Sequence, residues 1–482
     1  MPRRSAVGGL DDPRAGERCQ RLELERAWLV DPWTGREGVG SLLVEDGRIA
    51  DLRWAGGRVA PGTRPELLVL PGLTDLHAHF REPGDEDAET IATGLAAAAH
   101  GGFTRVCLMP NTTPPVDGPG VLRQVLAAAA ASGSPVRVDV YGTTSAGRGG
   151  LGLSAMGELA DAGAAGFSDD GSPVADAALF RNALAYAGAL DRVVVEHAQD
   201  PLLTAGAEMH EGLVATILGL RGWPRAGEEA AVARALAILD EVCRAAPTGA
   251  RPRLHLTHLS TAGSLDLIRR AKSTGLPVTC DVTPHHLALH DGWVAGDRRW
   301  AWDAAAAPWA GSAVEAAPYD TATRVNPPLR TPADAAALAA GLRDGTVDAI
   351  ATDHAPHTAV AKAVEYGEAA NGISGIETGL GLLLAAVDAG VLDLPTATRA
   401  LTVGPERVLG SAPGAGGPAG FEIGAPADVV LVDRSEGWMV SAEGLLSKGK
   451  NSPLLGRELG GRVLLTVAGG RFAYLDPGLD AG

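Results

Sequence analysis

The chain has 482 residues, more than the about 250–300 that a single hydrophobic core organises, so more than one folding unit is expected. Apolar residues make up 46% and charged residues 21%, as in globular proteins, and a formal net charge of −17 without a basic run argues against nucleic acid as a partner. No apolar run of about 20 residues is present and the basic start MPRRSAVGG lacks a signal peptide's apolar core, so no membrane span is expected and the cytoplasm is the default compartment.

In chain order, a polar extension comes first. The strings RLELERAWLVD, GSLLVEDGRIADLRW and ELLVLPG then alternate partly at period 2, which predicts short strands up to about residue 70. From 71 to 405 apolar strings alternate with Ala- and Leu-rich helical stretches such as AETIATGLAAAAHGG and EEAAVARALAILDEVCRAA. Eight strings read as strands: LLVLPGLTDLHAH, FTRVCLMPN, VRVDVYGTTS, AAGFSDD, RVVVEHAQD, RLHLTHLS, PVTCDVTPHH and VDAIATDHAPH. A Trp- and Ala-rich insertion between His290 and Arg324 interrupts them; it reads as a cover over the site, a partner contact or a simple surface excursion. After the Gly- and Pro-rich GSAPGAGGPAGFEIGAPAD, residues 406–482 return to strand patterns in ADVVLVD, GWMVSA and GGRVLLTVAGGRFAYL. The expected architecture is an α/β (β/α)₈ barrel over 71–405, with a small β-sandwich formed by 1–70 and 406–482.

Nearly every strand string begins apolar and ends in His, Asp, Asn or Thr. A barrel builds its site from such C-terminal strand ends, whereas a doubly wound sheet favours a glycine-rich turn, and no GxGxxG follows either of the first two strands here. His77 and His79 sit two residues apart, so on a strand both imidazoles face one side and can share a metal. Asp170, His197, His258 and Asp353 end other strings. Four imidazoles and two carboxylates suit a borderline divalent ion such as Zn²⁺ and exceed one tetrahedral site. His255, His285, His286 and Asp169 compete for these roles or support them. The four cysteines are widely spaced without a CxxC pair and offer no thiolate site.

The strings PGLTDLHAHFREPG, MPNT, FSDDG, HLS, NPPLR, ATDHAPH and LSKGKNSPLLG occur in this order over essentially the whole chain. In these the chain resembles the dihydroorotases of the amidohydrolase superfamily, and most of all the long bacterial type. The resemblance implies a reversible interconversion of dihydroorotate and N-carbamoyl-L-aspartate in pyrimidine (UMP) biosynthesis, with one or two Zn²⁺ per subunit. It implies that His77 and His79 bind one metal, that His197 and His258 bind a second, and that Asp170 bridges them. Asp353 would be a metal ligand and the acid/base. Many superfamily relatives bridge their metals with a modified lysine on the fourth strand; no lysine precedes Lys272, so that device is absent. For the substrate carboxylate the resemblance implies Arg81, Asn111 and His357, and for the ring edge Asn326 and the backbone at Asn371 and Gly372, where close relatives differ at Asn371. Two partners come with it, a second copy of the chain and an aspartate transcarbamoylase, which no residue pattern specifies. The alternatives are a hydantoinase or allantoinase, disfavoured by the missing lysine and by FREPG, and a non-catalytic scaffolding homologue, disfavoured by six intact metal-ligand positions.

Overall fold

The computed structural model describes residues 7–8, 14–55, 66–306, 316–410 and 420–479. Parts of the expected N-terminal extension, of the insertion before Arg324 and of the glycine-rich loop before residue 420 lie outside them.

Strands from both ends of the chain share one sheet. Arg21–Asp31 pairs antiparallel with Arg36–Glu45, which pairs with Arg48–Trp54. Leu67–Pro71 lies parallel to the first of these and antiparallel to Val429–Met439, followed by Glu458–Ala468 and Arg471–Leu475. The two expected β-segments therefore form a single eight-stranded sheet with its own core, including Leu22, Leu42, Ile49, Val69, Leu431 and Leu465. Alternation made it legible: Leu22 and Leu24 point inward while Arg21 and Glu25 stay exposed. The sheet curls until Arg18 bridges Arg471 and Arg48 bridges Pro426.

LLVLPGLTDLHAH, expected as one strand, is two. Leu67–Pro71 belongs to the sheet just described and Leu73–Ala78 to a parallel one, with the chain turning at Gly72. A Cβ at Gly72 would collide with the Thr104 side chain, so the close passage requires glycine. The parallel strands are β1 (Leu73–Ala78), β2 (Phe103–Leu108), β3 (Arg137–Val140), β4 (Gly166–Phe167), β5 (Val193–His197), β6 (Arg253–Thr257), β7 (Val278–Val282) and β8 (Ala349–Ile350). The first three form one sheet and the other five a second, each in chain order. Single parallel bridges join the two, Gly142 to Phe167 and Ala78 to His354. β1, β2 and β5 are buried at every position, as strands covered on both faces must be.

Helices fill the connections, and their starts are capped: Thr90, Asp176, Thr261 and Thr331 each accept a backbone N–H of the first turn. In Ala262–Ser273, Leu265 and Ile268 face the core while Asp266, Arg269 and Arg270 face water. The described part of the Trp-rich insertion is packed and not a surface excursion. Trp293 is fully buried, stacks on Trp300 with centroids 5.8 Å apart, and shares a cluster with Leu454 and Leu459.

Asp428 enters the strand Val429–Met439 and accepts from Gly469 N at 2.8 Å, yet burial pushes its carboxyl up to about 6. A raised folded-state pKa favours folding fully below the ordinary carboxylate value, and that contribution is lost as pH rises through about 6. Asp428→Asn is therefore expected to stabilise the fold near pH 8 by on the order of 1 kcal/mol and to change nothing near pH 4. Thermal melts of both proteins across that range check it.

Candidate active site

The predicted metal ligands converge. His77 lies on β1 and His79 just beyond it, Asp170 follows β4, His197 ends β5, His258 follows β6 and Asp353 follows β8; all six are buried. The Nε2 atoms of His77 and His79 are 3.2 Å apart, and His197 Nδ1 lies 2.9 Å from His258 Nε2. Asp170 stands between the two pairs. Its Oδ2 faces His77 and His79 at 3.5 and 3.6 Å, and its Oδ1 faces His258 and His197 at 3.4 and 3.5 Å. Asp353 Oδ1 is 3.1 Å from His79 Nε2 and 3.6 Å from His77 Nε2. Arg81, His258 and Asp353 take positive φ values of 59°, 41° and 48°, the left-handed strain that clusters at working sites.

Hydrogen bonds behind the rings fix which nitrogens carry protons. His79 Nδ1 donates to Asn111 Oδ1 at 2.9 Å, and His197 Nε2 donates to Gln199 Oε1 at 2.8 Å. Thr257 Oγ1 donates to Asp281 and so accepts from His77 Nδ1 at 2.8 Å. The inward nitrogens of His79 and His197 are thus lone pairs, and that of His77 is aimed at the carboxylates of Asp170 and Asp353. Lone pairs converging in a buried space need a cation, and this donor set fits a divalent metal. His77, His79 and Asp353 form one group able to hold an ion, and His77, Asp170 and His258 another. The protonation balance has the same sign. Against the burial that opposes it, Asp170 and Asp353 raise the His77 imidazole to about 9. Burial also opposes ionisation of Asp170 and Asp353, yet the imidazoles hold both carboxyls below their ordinary value, Asp170 far below.

The other expected residues border this cluster. Arg81 Nε donates to Pro356 O at 3.1 Å, and its Nη2 lies 3.3 Å from His357 Nε2. His357 Nε2 donates to Asn371 O at 2.7 Å; burial and Arg81 lower its pKa to about 3, so the ring is neutral. Asn326 Nδ2 donates to Gln199 Oε1 at 2.9 Å, beside His197. The competitors are held in supporting places. Asp169 accepts from Thr144 N and Ser145 N, His255 bonds Asp281 at 2.7 Å, and His286 Nε2 donates to Pro327 O. His285 stays buried and neutral, its pKa pushed down by burial and by His286.

Three supporting residues were not singled out from the sequence. Asp75 accepts from His77 N and Thr352 N, tying β1 to the segment after β8. Asp281 on β7 accepts from His258 N at 2.6 Å. Asn451 accepts from His357 N and donates to Ala355 O and Gly372 O, clamping the loops around the site. Period 2 would have found Asp75, two residues before His77 on the same strand face; Asn451 carries no local signal. Gly372 has φ 141° and a Cβ there would lie 2.5 Å from Ala355 Cβ. Gly372→Ala is expected to lower kcat/KM about tenfold or more through displacement of His357, with little change in metal content. Kinetics alongside elemental analysis would check this; an unchanged kcat/KM would separate the loop from the site.

The same fold occurs in solved structures. The L-hydantoinase (dihydropyrimidinase) from Arthrobacter aurescens matches with a TM-score of 0.73 and 23% identity over 93% of this chain and 95% of its own. A dihydropyrimidinase from Brevibacillus agri matches at 0.71 and 18% identity over 94% of each. These matches give the fold, and the class is so far that of proteins whose parallel strands gather donors able to hold a metal ion at their ends. Sequence comparison narrows the class. A family model described as Dihydro-orotase-like matches residues 66–261. The dihydroorotase of Anaeromyxobacter dehalogenans is 44% identical over 94% of this chain and 98% of its own, and that of Pelotomaculum thermopropionicum 43% over 95% and 99%. The chain belongs to the dihydroorotase family.

Proposed function

We propose that the chain catalyses the reversible hydrolysis of dihydroorotate to N-carbamoyl-L-aspartate, ring closure being the direction that serves pyrimidine biosynthesis. The observation that carries this is the position of His79. Its Nε2 faces the metal donors and its Nδ1 bonds Asn111, while Arg81, two residues on, reaches His357. These contacts support reading an anion pocket beside a hydrolytic centre. The eight parallel strands are read as one (β/α)₈ barrel, supported by the bridges that link their two sheets.

Zn²⁺, one or two ions per chain, suits these donors; when bound it acidifies water and polarises the ring carbonyl. His77, His79 and Asp353 would hold one ion, and His197 and His258 the other, with Asp170 between. Arg81, Asn111 and His357 hold the substrate carboxylate and so orient the ring. Asn326 and the backbone at Asn371 and Gly372 meet the ring edge. Asp353, ionised, takes a proton from the attacking water and returns it to the leaving ring nitrogen.

The test is an ultraviolet assay of dihydroorotate hydrolysis by the Zn²⁺-loaded protein, with hydantoin and allantoin as controls. Turnover of a control in place of dihydroorotate overturns the assignment. Arg81→Lys keeps the charge but loses the planar fork, so kcat/KM should fall by about 2–5 kcal/mol equivalent with a raised KM. Steady-state kinetics in both directions check it.

A further inference from the structure

Beside the site lies a cleft of about 800 Å³ that includes His357 in its wall. Lys362, Lys448 and Lys450 also line it, three of only four lysines in the chain. The fourth, Lys272, pairs with Asp348 at 2.5 Å. Among the described residues the other three form no ion pair. Lys448 Nζ donates to Glu86 O at 2.6 Å, Lys450 Nζ to Leu445 O at 2.5 Å and Lys362 Nζ to Ala370 O at 2.6 Å. Carbonyl partners leave the Lys448 and Lys450 charges uncompensated, whereas burial and Arg324 lower Lys362 to about 7, so it adds only a partial charge. Arg298 and Asp320 in the same wall pair at 2.7 Å and largely cancel, which leaves Asp87 as the opposing carboxylate of the lining. Glu86 stands close enough to feel Lys448, although Gly84 N engages its carboxylate. The cleft is therefore net positive in a chain of net charge −17.

A generally acidic surface repels carboxylate ligands, and a positive recess at the mouth of a site reverses that locally. We propose that this cleft is the anion-collecting vestibule of the active site, where Lys448 and Lys450 draw carboxylate substrates towards Arg81 and His357. This rests on the proposed reaction, whose open-chain partner carries two carboxylates and whose ring form carries one. Attraction scales with ligand charge, so the vestibule favours the open-chain dianion. Lys448 is exposed and makes no contact with the metal donors, so its side chain can be changed without disturbing them.

The experiment compares wild type, Lys448→Arg and Lys448→Glu as Zn²⁺-loaded full-length proteins, from about 0.01 to 0.5 M ionic strength, where the Debye length shrinks from about 30 Å to a few ångströms. At low salt Lys448→Glu should lower kcat/KM for N-carbamoyl-L-aspartate about tenfold and for dihydroorotate about threefold, with kcat unchanged. High salt should close both gaps, and Lys448→Arg should match wild type. Equal kcat/KM in all three proteins at low salt, or a loss in Lys448→Glu that salt does not relieve, overturns the proposal. Absence of turnover in wild type would overturn the reaction assignment instead. Calorimetry with malonate as the probe then decides the vestibule alone: weaker low-salt binding to Lys448→Glu supports it, and equal affinity overturns it.

Discussion

Asp353→Asn is expected to lower kcat by about 10²–10⁴-fold in both reaction directions, with KM little changed. The argument starts from where the carboxylate sits. Its backbone is held at φ 48°, and its Oδ1 lies 3.1 Å from His79 Nε2 among imidazoles that keep it ionised. An ionised carboxylate at that point can take a proton from attacking water; an amide of the same shape cannot. The amide can still occupy the position, so binding should suffer less than turnover. Retention of metal is measured in the same samples, since a kcat loss accompanied by loss of metal would report ligation and not proton transfer. A variant that turns over within a few-fold of wild type places the proton shuttle elsewhere.

Asp170→Ala is expected to reduce bound metal to a small fraction of wild type and to abolish detectable turnover. Its two oxygens face the two histidine pairs separately, His77 with His79 and His197 with His258, at 3.4–3.6 Å. Removing it takes one donor from each side and leaves four buried imidazoles without a bridging charge. Elemental analysis after dialysis reads the effect directly, and excess Zn²⁺ should restore little activity. Unchanged metal content and turnover would mean that Asp170 is not the bridge. Asp169 is a poor substitute, because it is already engaged by the backbone of Thr144 and Ser145.

Much of this site was legible because its chemistry is local. His77 and His79 announce a shared strand face by their spacing, and Asp170, His197, His258 and Asp353 stand where apolar strings stop. Helices were legible as Ala- and Leu-rich stretches: AETIATGLAAAAHGG and EEAAVARALAILDEVCRAA each hold one. What could not be read depends on contacts between distant segments or on backbone angles. Asn451 clamps loops 79 to 96 residues away in sequence. Positive φ at His258 and Asp353 has no local signature, because even Asp and His, which tolerate it better than most residues, adopt it only in a small minority of places. The strands β4 and β8 are only two residues long, so their strings announced their polar ends better than their extent. The division at Gly72 was half legible: ELLVLPG closes the first β-segment, yet its apolar residues also lead straight into the strand that carries His77.

That division also orders events during synthesis. Leu67–Pro71 runs directly into the strand that carries His77, and five of its residues find antiparallel partners in Val429–Asp433. A nascent chain presents β1 long before those partners leave the ribosome, so until then the preceding strand has an open edge along which other chains can pair. Any protein truncated before Val429 keeps that edge for good. Such fragments should therefore accumulate in aggregates even though every residue of the candidate metal site has been made.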